Sequence, residues 1–346
     1  MEKGAMPIKQ TRRRILSTMA LAAAAGSVGA ARVFAAGEAL ETTTVRIYRD
    51  PSICIAPAYI AGDLLRADGF SDVRYVDVAV DLDSTANGQD PLVQAIARGD
   101  IDFTLDFPSL YIPAIEAGVP VSVLAGVHVG CFELFAQNNI GGIRDLKGRS
   151  VGLKNAPPTF LALMAAQVGL DPNRDIHWVT GSGATDPLEL FATGQIDAFL
   201  GFPPEPQELR GRHAGHVIVN TATDQPWSQY FCCMLLANRD FVRQRPVATK
   251  RVLRAMLKAS DLCAAEPDRA AQLLADGGFT DRRDIAFQTV RDLPYNKWRE
   301  YDPEDSIRFY ALRLREAGLI KSGPQKIISR AADWRFLTEL KLELKT

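Results

Sequence analysis

The sequence lacks several features that would assign a function directly. Lys and Arg number 40 against 41 Asp and Glu, so the net charge is −1, without the basic excess typical of nucleic-acid-binding proteins. It has no Gly-x-Ser-x-Gly elbow, no Gly-x-x-x-x-Gly-Lys phosphate loop and no His-Glu-x-x-His zinc motif. We therefore expect neither a nucleic-acid partner nor a catalytic centre of these types.

Cysteines are few and have no metal-binding or redox spacing. The five are Cys54, Cys131, Cys232, Cys233 and Cys263, with no Cys-x-x-Cys pair. Cys232 and Cys233 are adjacent in an apolar run, which is typical of small buried side chains. An odd count in an exported chain leaves at least one thiol without a partner in the chain, and a disulfide among the five stays open.

Histidines do not indicate a metal site either. His213 and His216 are three positions apart, but Gly215 disfavours the helix that this spacing needs, and no third ligand is near. The sequence therefore predicts neither a metal ion nor a cofactor.

Long apolar runs are also missing, and the most apolar stretch is interrupted. Arg12-Arg13-Arg14-Ile15-Leu16 leads into an Ala-rich segment that contains Gly26 and Gly29 and ends at Arg32. This segment is too short for a membrane span and has the order of a secretory leader. The arginines resemble the twin-arginine signal, which exports folded proteins. We expect residues 1–35 to be the signal peptide, removed after Ala35, and the remainder to be periplasmic; a retained anchor helix is the alternative.

Strands and helices alternate through most of the remaining chain. Predicted strands begin near Val45, Val73, Ile101 and Val119, and the helices between them begin at Pro57, Asp90 and Leu110. The alternation starts again near Ser150 and continues to Phe199. Such alternation is typical of a mostly parallel sheet covered by helices, so the fold class is α/β.

The two alternating series resemble each other. Ile96-Ala97-Arg98-Gly99-Asp100-Ile101-Asp102 matches Phe191-Ala192-Thr193-Gly194-Gln195-Ile196-Asp197, and an Asp-Pro-Leu helix start precedes each. The pattern favours two similar lobes. Beyond Asn238 the chain is mainly helical; we expect Tyr295–Trp298 to be a loop and Lys326–Arg330 to be extended.

Several segments in consistent order are similar to the sulfonate/nitrate/taurine-type substrate-binding proteins of ABC importers. They are Ala56-Pro57-Ala58-Tyr59-Ile60-Ala61, Leu92 to Phe103, Asp145-Leu146-Lys147-Gly148-Arg149-Ser150-Val151-Gly152-Leu153, Thr193 to Phe199, and Glu316-Ala317-Gly318-Leu319-Ile320. Pro203-Pro204-Glu205-Pro206 stands where the family often has aromatic–Glu–Pro. The likeness covers most of residues 45 to 320.

The resemblance implies a two-lobed periplasmic-binding-protein fold of type II-like architecture, with lobes joined by crossing hinge strands. Lobe 1 would comprise 43–130 and 238–346, with a C-terminal helical buttress, and lobe 2 would comprise 131–237. The crossings would fall near Gly130–Gln137 and Tyr230–Ala237. The implied protein is a monomer that binds a small molecule, performs no chemistry, and delivers it to an ABC permease and its ATPase in the inner membrane.

Ligands of open α/β sheets bind at the carboxyl ends of strands, where helices begin. Four predicted loops fit that description: 50–52, 106–109, 154–159 and 181–186. From these loops and their surroundings we predict ligand contacts by Asp50, Ser52, Phe107, Ser109, His128, Lys154, Asn155, Thr159, Ser182, Asp186 and Glu205. For Phe107 and His128 the alternative is ordinary burial, for Lys154 it is a solvated side chain, and for Asp50 it is a cap of the turn that follows.

Charge and function class stay open at this point. Helix N-termini and Lys154 suit an anionic ligand, whereas Asp50, Asp106, Asp186 and Glu205 suit an amine, amidine or pyrimidine. Enzymes related in fold, the thiamin-pyrimidine synthases and menaquinone-pathway dehydratases, are the alternative to a transporter component. A receptor that signals to a membrane kinase is a third possibility.

Overall fold

The computed structural model describes residues 38–79, 90–154, 158–181 and 186–344. The predicted signal peptide and the polar segment 81–89 lie outside these residues. Ten strands in the described part form two five-stranded sheets, and each sheet is flanked by helices. The two-lobed α/β fold expected from the sequence is confirmed.

The first sheet has the strand order β2-β1-β3-β10-β4. Its strands are β1 (Thr44–Tyr48), β2 (Asp72–Val76), β3 (Phe103–Asp106), β4 (Val121–Val129) and β10 (Phe231–Asn238). β1 pairs in parallel with β2 and β3, whereas β10 runs antiparallel between β3 and β4.

The second sheet repeats this arrangement in the order β7-β6-β8-β5-β9. Its strands are β5 (Glu133–Ala136), β6 (Arg149–Leu153), β7 (Ile176–Thr180), β8 (Ala198–Gly201) and β9 (His216–Asn220). β6 pairs in parallel with β7 and β8, and β5 runs antiparallel between β8 and β9. Both sheets are therefore mixed rather than mostly parallel, because the two predicted crossing segments contribute the antiparallel strands β5 and β10.

Helices cover the sheets and form most of the C-terminal third of the described chain. They are α1 (Ala56–Ala67), α2 (Pro91–Arg98), α3 (Pro108–Glu116), α4 (Thr159–Gln167), α5 (Pro187–Ala192), α6 (Glu205–Gly211), α7 (Arg239–Gln244), α8 (Pro246–Ala265), α9 (Pro267–Asp276), α10 (Arg283–Asp292), α11 (Pro303–Glu316), α12 (Pro324–Ala331) and α13 (Arg335–Glu343). The described residues contain no helix with the length and apolar character needed to cross a membrane.

Capping residues explain why α2 and α5 begin where they do. Asp90 accepts a hydrogen bond from the Leu92 N–H at 2.8 Å, and Asp186 accepts one from the Leu188 N–H at 2.9 Å. Both carboxylates satisfy free backbone donors of a first turn, and a proline occupies the next position. α2 ends at Gly99, whose φ of 79° suits glycine.

The matching sequence segments perform the same structural task in both sheets. The Asp102 carboxylate accepts from the Arg46 N–H of β1 at 2.8 Å, and the Asp197 carboxylate accepts from the Ser150 N–H of β6 at 2.9 Å. An arginine side chain, from Arg46 or Arg149, completes each site. The two half-sequences therefore encode the same link between neighbouring parallel strands.

Two local predictions were wrong. Lys326–Arg330 is not extended but lies within α12, which packs against α11, α3 and β4. Tyr295–Trp298 is not an open loop: it forms a 3₁₀ turn in which Tyr295 and Trp298 are buried. In both segments, packing against elements distant in sequence outweighs the weak local preference.

Candidate functional site

A cavity of about 110 Å³ lies between the two sheets, where their strands end. Residues after β1, residues of β3 and those just after it, and residues of β10 line one side. Residues after β4 and β8 and the first turn of α4 line the other. The lining comprises Asp50, Ser52, Cys54, Ile55, Leu105, Asp106, Phe107, Leu110, Cys131, Phe132, Phe160, Phe202, Cys232 and Cys233. The location is that of a ligand-binding cleft between two lobes.

Four phenylalanines form an aromatic wall of this cavity. The ring centroids of Phe107 and Phe160 are 4.7 Å apart in an edge-on arrangement, and those of Phe132 and Phe160 are 4.5 Å apart. Phe202 contacts Phe132 at 5.7 Å. Phe107 belongs to the first-sheet side and the others to the second-sheet side, so the wall is made by both halves of the molecule.

Two carboxyl groups supply hydrogen-bond acceptors to the cavity. Asp50 accepts hydrogen bonds from the N–H and hydroxyl of Ser52, and Asp106 accepts from the Phe107 N–H at 2.7 Å. The second oxygen of Asp106, Oδ2, has no partner among the described residues. Burial raises the pKa of both carboxyls. Among the described residues that line the cavity, none carries a positive charge.

Thiols form a further part of the cavity wall. Cys54, Cys131, Cys232 and Cys233 all contribute to it, and the Sγ atoms of Cys131 and Cys232 are 2.9 Å apart. Consecutive side chains of a regular strand face opposite sides, but the β10–β4 ladder is irregular at Cys232 and Cys233. This irregularity lets both sulfurs reach the cavity, as bulges beside functional sites often do.

One buried histidine joins the thiols. His128 of β4 lies directly opposite Cys233 in the ladder. Donor atoms of Cys54, His128, Cys131 and Cys233 all lie within 4.8 Å of one another. Hydrogen bonds from the neighbouring thiols lower the pKa of Cys233. Burial disfavours the charged imidazole of His128, but the adjacent Cys233 sulfur and the backbone of Val129 and Gly130 together outweigh burial and raise its pKa.

The predicted site residues divide into four groups. Asp50, Ser52 and Phe107 line the cavity. Ser109 and His128 are buried next to it, and Glu205 is buried at the start of α6, where it accepts from the Phe202 N–H at 3.3 Å. Thr159, Lys154 and Asp186 lie outside the described lining, and Asn155 and Ser182 lie outside the described residues.

Lys154 and Asp186 contact each other rather than the cavity. The Lys154 ammonium donates to the Asp186 carboxylate at 2.5 Å, and this contact raises the pKa of Lys154. The side chain is half exposed. Lys154, which supported an anionic ligand in the sequence analysis, is therefore paired with a carboxylate in this structure.

Sequence reasoning missed Phe132, Phe160 and the thiol–imidazole cluster. The prediction that the cysteines are buried is correct for all five, but it treated them as isolated apolar side chains. Phe160 directly follows the predicted loop 154–159, which was the available signal. No spacing in the sequence indicated that Cys54 meets residues near 131 and 233.

A match to a protein-family model identifies the family of this chain. The family model described as NMT1/THI5 like matches residues 75–270, which is more than half of the sequence. The chain belongs to the NMT1/THI5-like family. Within the sheets, this match runs from the end of β2 to β10, so it includes Phe107, Phe132, Phe160 and four of the five cysteines.

A curated relative is similar to this chain over most of its length. Bicarbonate-binding protein CmpA of Synechococcus sp. is 26% identical over 276 residues, which cover 69% of this chain and 58% of CmpA. The NMT1/THI5-like chain thus spans less than two thirds of the length of that curated relative. The resemblance to ABC-importer binding proteins that the sequence motifs indicated is confirmed.

Solved structures show the same fold. The periplasmic nitrate-binding protein NrtA from Synechocystis PCC 6803 has a TM-score of 0.67 at 16% identity, covering 89% of this chain and 90% of NrtA. The alkanesulfonate-binding protein SsuA from Xanthomonas axonopodis pv. citri, bound to MOPS, has a TM-score of 0.65 at 16% identity, covering 86% and 100%. Identities this low establish the architecture of this NMT1/THI5-like protein, not its ligand.

Proposed function

We propose that this protein is the extracytoplasmic solute-binding component of an ABC importer. In this role it captures a small organic solute between its two halves, delivers it to a membrane permease with its ATPase, and performs no catalytic step. Export to the periplasm by the twin-arginine route, with residues 1–35 as the leader, belongs to the same proposal. The observation that carries it is the cavity between two sheets of matching topology.

The solute we propose is a small molecule with a positively charged or strongly hydrogen-bond-donating group, such as an amine or amidine. Asp50 and Asp106 supply acceptors, and a cation would relieve the cost of burying their charge. The four phenylalanine rings supply faces that attract cations and pack against apolar or aromatic parts. This preference differs from the anions named for CmpA, NrtA and SsuA.

Contacts between the two halves would hold them closed around the solute. The Ile53 N–H donates to the Pro203 carbonyl at 3.4 Å, and Arg210 of α6 lies 3.9 Å from Asp292 of α10. Arg210 also pairs with Glu133 of β5. The Ile53–Pro203 and Arg210–Asp292 contacts connect segments on either side of the cavity, as closure around a ligand requires.

A thermal-shift screen tests the proposal. Purified protein is heated with members of a library of amines, amidines, pyrimidines, aromatic acids, sulfonates, nitrate and bicarbonate. A ligand at about 100 times its dissociation constant should add about 2.7 kcal/mol of stability. We expect the amines or amidines to raise the Tm; shifts given by the anions alone would contradict the proposed charge preference.

Transport itself needs a genetic test. Deleting the gene should abolish uptake of the identified solute, and restoring the wild-type gene should recover it. If uptake is unchanged but transcription in response to the solute is lost, the protein is a sensory receptor instead.

A further inference from the structure

The geometry points to a second, inorganic ligand: a thiophilic, four-coordinate metal ion such as Zn²⁺, held by Cys54, His128, Cys131 and Cys233. This inference concerns the wall of the cavity and goes beyond the proposed function. It holds whichever solute the cavity takes, and whether the protein serves import or sensing.

The spacing of the donor atoms is close to that of a tetrahedral site. With metal–sulfur bonds of about 2.3 Å, the donor atoms of a tetrahedron are about 3.8 Å apart. The four donor atoms here all lie within 4.8 Å of one another. Side-chain movements of about 1 Å therefore complete the coordination, which is within the reach of χ1 rotations.

The donor set has the chemistry of a metal site. Three thiols and one imidazole form the Cys₃His combination that binds Zn²⁺ tetrahedrally. His128 Nδ1 lies 3.4 Å from the Val129 carbonyl, whereas Nε2 is buried without a hydrogen-bond partner of ordinary geometry among the described residues. A buried, unsatisfied ring nitrogen is costly, and a metal ion at Nε2 would satisfy it while the backbone carbonyl fixes the ring.

Neighbouring structure holds these ligands in place. The buried Tyr295 donates its hydroxyl to the Cys54 carbonyl at 2.8 Å, and its ring meets His128 edge-on with centroids 5.3 Å apart. Cys233 and His128 face each other in the β10–β4 ladder. The ligands thus come from three separate chain segments but are joined by direct contacts.

Burial of cysteine by itself does not explain the cluster, because another buried cysteine of this chain lies outside it. Cys263 of α8 is also fully buried and free, yet it is not among the clustered ligands. A disulfide is the other alternative, because Cys131 and Cys232 are neighbours. Their sulfurs are 2.9 Å apart, longer than the S–S bond length of about 2.05 Å, so Cys131 and Cys232 are free thiols in this structure.

A metal ion here would also matter to the cavity. Cys54, Cys131 and Cys233 line it and would bind the ion as thiolates after losing their protons, so the Zn²⁺ complex would carry a net charge of −1 on the wall that carries Asp50 and Asp106. Export of a folded chain, as proposed above, would let the thiols bind metal before they reach an oxidising compartment.

Metal titration tests the inference on the whole purified chain. The protein is reduced, stripped with a chelator and titrated with Zn²⁺ against a chromophoric competitor, and separately with Co²⁺. We expect one ion per chain and, for Co²⁺, intense visible bands with thiolate charge-transfer absorption. Failure of the reduced protein to bind either ion stoichiometrically would overturn the inference.

Variants identify the ligands. Cys233→Ser and Cys54→Ser should each lower Zn²⁺ affinity by about 100-fold or more and remove part of the charge-transfer absorption. Cys263→Ser is the matched control and should leave both unchanged. Circular dichroism of the metal-free variants verifies folding; if folded Cys233→Ser and Cys54→Ser bind like wild type, the assigned ligands are wrong.

Protein isolated from the periplasm supplies the last test. Peptide mass spectrometry without reduction should show Cys131 and Cys232 as free thiols in metal-loaded protein. A Cys131–Cys232 disulfide in nearly all molecules would replace the metal site with a redox bond and refute the inference. Solute binding is measured separately by thermal shift, so failure of the metal site and failure of the proposed function remain distinguishable.

Discussion

The Asp197 carboxylate of the second sheet accepts hydrogen bonds from both the N–H and the hydroxyl of Ser150, at 2.9 and 2.7 Å. It thereby ties the start of β8 to β6. Asp102 does the same for β3 and β1 through Arg46. One acidic residue at the end of each Gly-x-Ile-Asp segment thus fixes the pairing of parallel strands in each half.

Asp197→Asn should destabilise the second half in a pH-dependent way. Burial opposes ionisation of Asp197, but hydrogen bonds from Ser150 and the charge of Arg149 outweigh it and lower the pKa of the carboxyl. Its stabilisation is therefore present above the unfolded pKa near 3.8 and is lost as the pH falls through the lowered folded value. Urea denaturation should show a loss of about 1–3 kcal/mol at neutral pH that shrinks near pH 3. The exposed Asp281→Asn is the control, and an equal loss at both pH values would argue against this role.

Phe160→Leu should weaken solute binding more than it weakens the fold. The substitution keeps an apolar side chain but removes the ring contacts with Phe107 and Phe132. A ring contact with the solute would contribute about 0.5–1.5 kcal/mol, so calorimetric affinity for the identified solute should fall about 2- to 13-fold. Phe191→Leu, in the core of the second half, is the matched control and should lower the Tm without changing affinity. The opposite pattern would remove Phe160 from the binding wall.

Asp106→Asn should stabilise the metal-free, solute-free protein and weaken binding of a cationic solute. The carboxyl is buried and its Oδ2 has no partner among the described residues, so neutralising it removes a desolvation cost. We expect the free energy of unfolding at pH 7 to rise by about 0.5–2 kcal/mol, and affinity to fall at least about 10-fold. Asp72→Asn at the edge strand controls for charge, and unchanged affinity would exclude a cation beside Asp106.

Asp292→Asn should favour the open arrangement of the two halves. It removes the Asp292 carboxylate that pairs with Arg210 of α6 and leaves the Arg210–Glu133 pair intact. Partly exposed pairs contribute about 0.2–1 kcal/mol, so affinity should fall by up to about 5-fold, and high salt should remove the difference. Glu189→Gln, which breaks a pair within the second half, should not change affinity or the solution-scattering radius. A salt-independent effect would indicate a different cause.

Local signals were sufficient for most of the architecture. Asp90 and Asp186 mark helix starts because their side chains cap the turn that follows them, and Gly99 marks an end because it adopts a positive φ. These interactions span only a few residues, so the sequence displays them directly. The paired Asp102 and Asp197 segments were visible for the same reason, and they indicated two similar halves.

The binding wall and the thiol cluster could not be predicted in the same way. Cys54 meets His128, Cys131 and Cys233 because β10 inserts antiparallel beside β4 and because that ladder is irregular at Cys232 and Cys233. Sheet order and register bring together residues that are far apart in the chain. Patterns among neighbouring residues do not indicate that order or register. Lys154 shows the converse: its position after a strand suggested a ligand contact, but the fold places the Asp186 carboxylate against it.

The sequence by itself determined the alternation of strands and helices, their caps, the two related halves and the family, since each depends on neighbouring residues or on ordered motifs. The tertiary structure alone decided that aromatic rings, buried carboxyls and thiols share one cavity. The physical reason is that the cavity is lined by segments distant in sequence, and strand pairing and packing over the whole chain determine which segments come into contact.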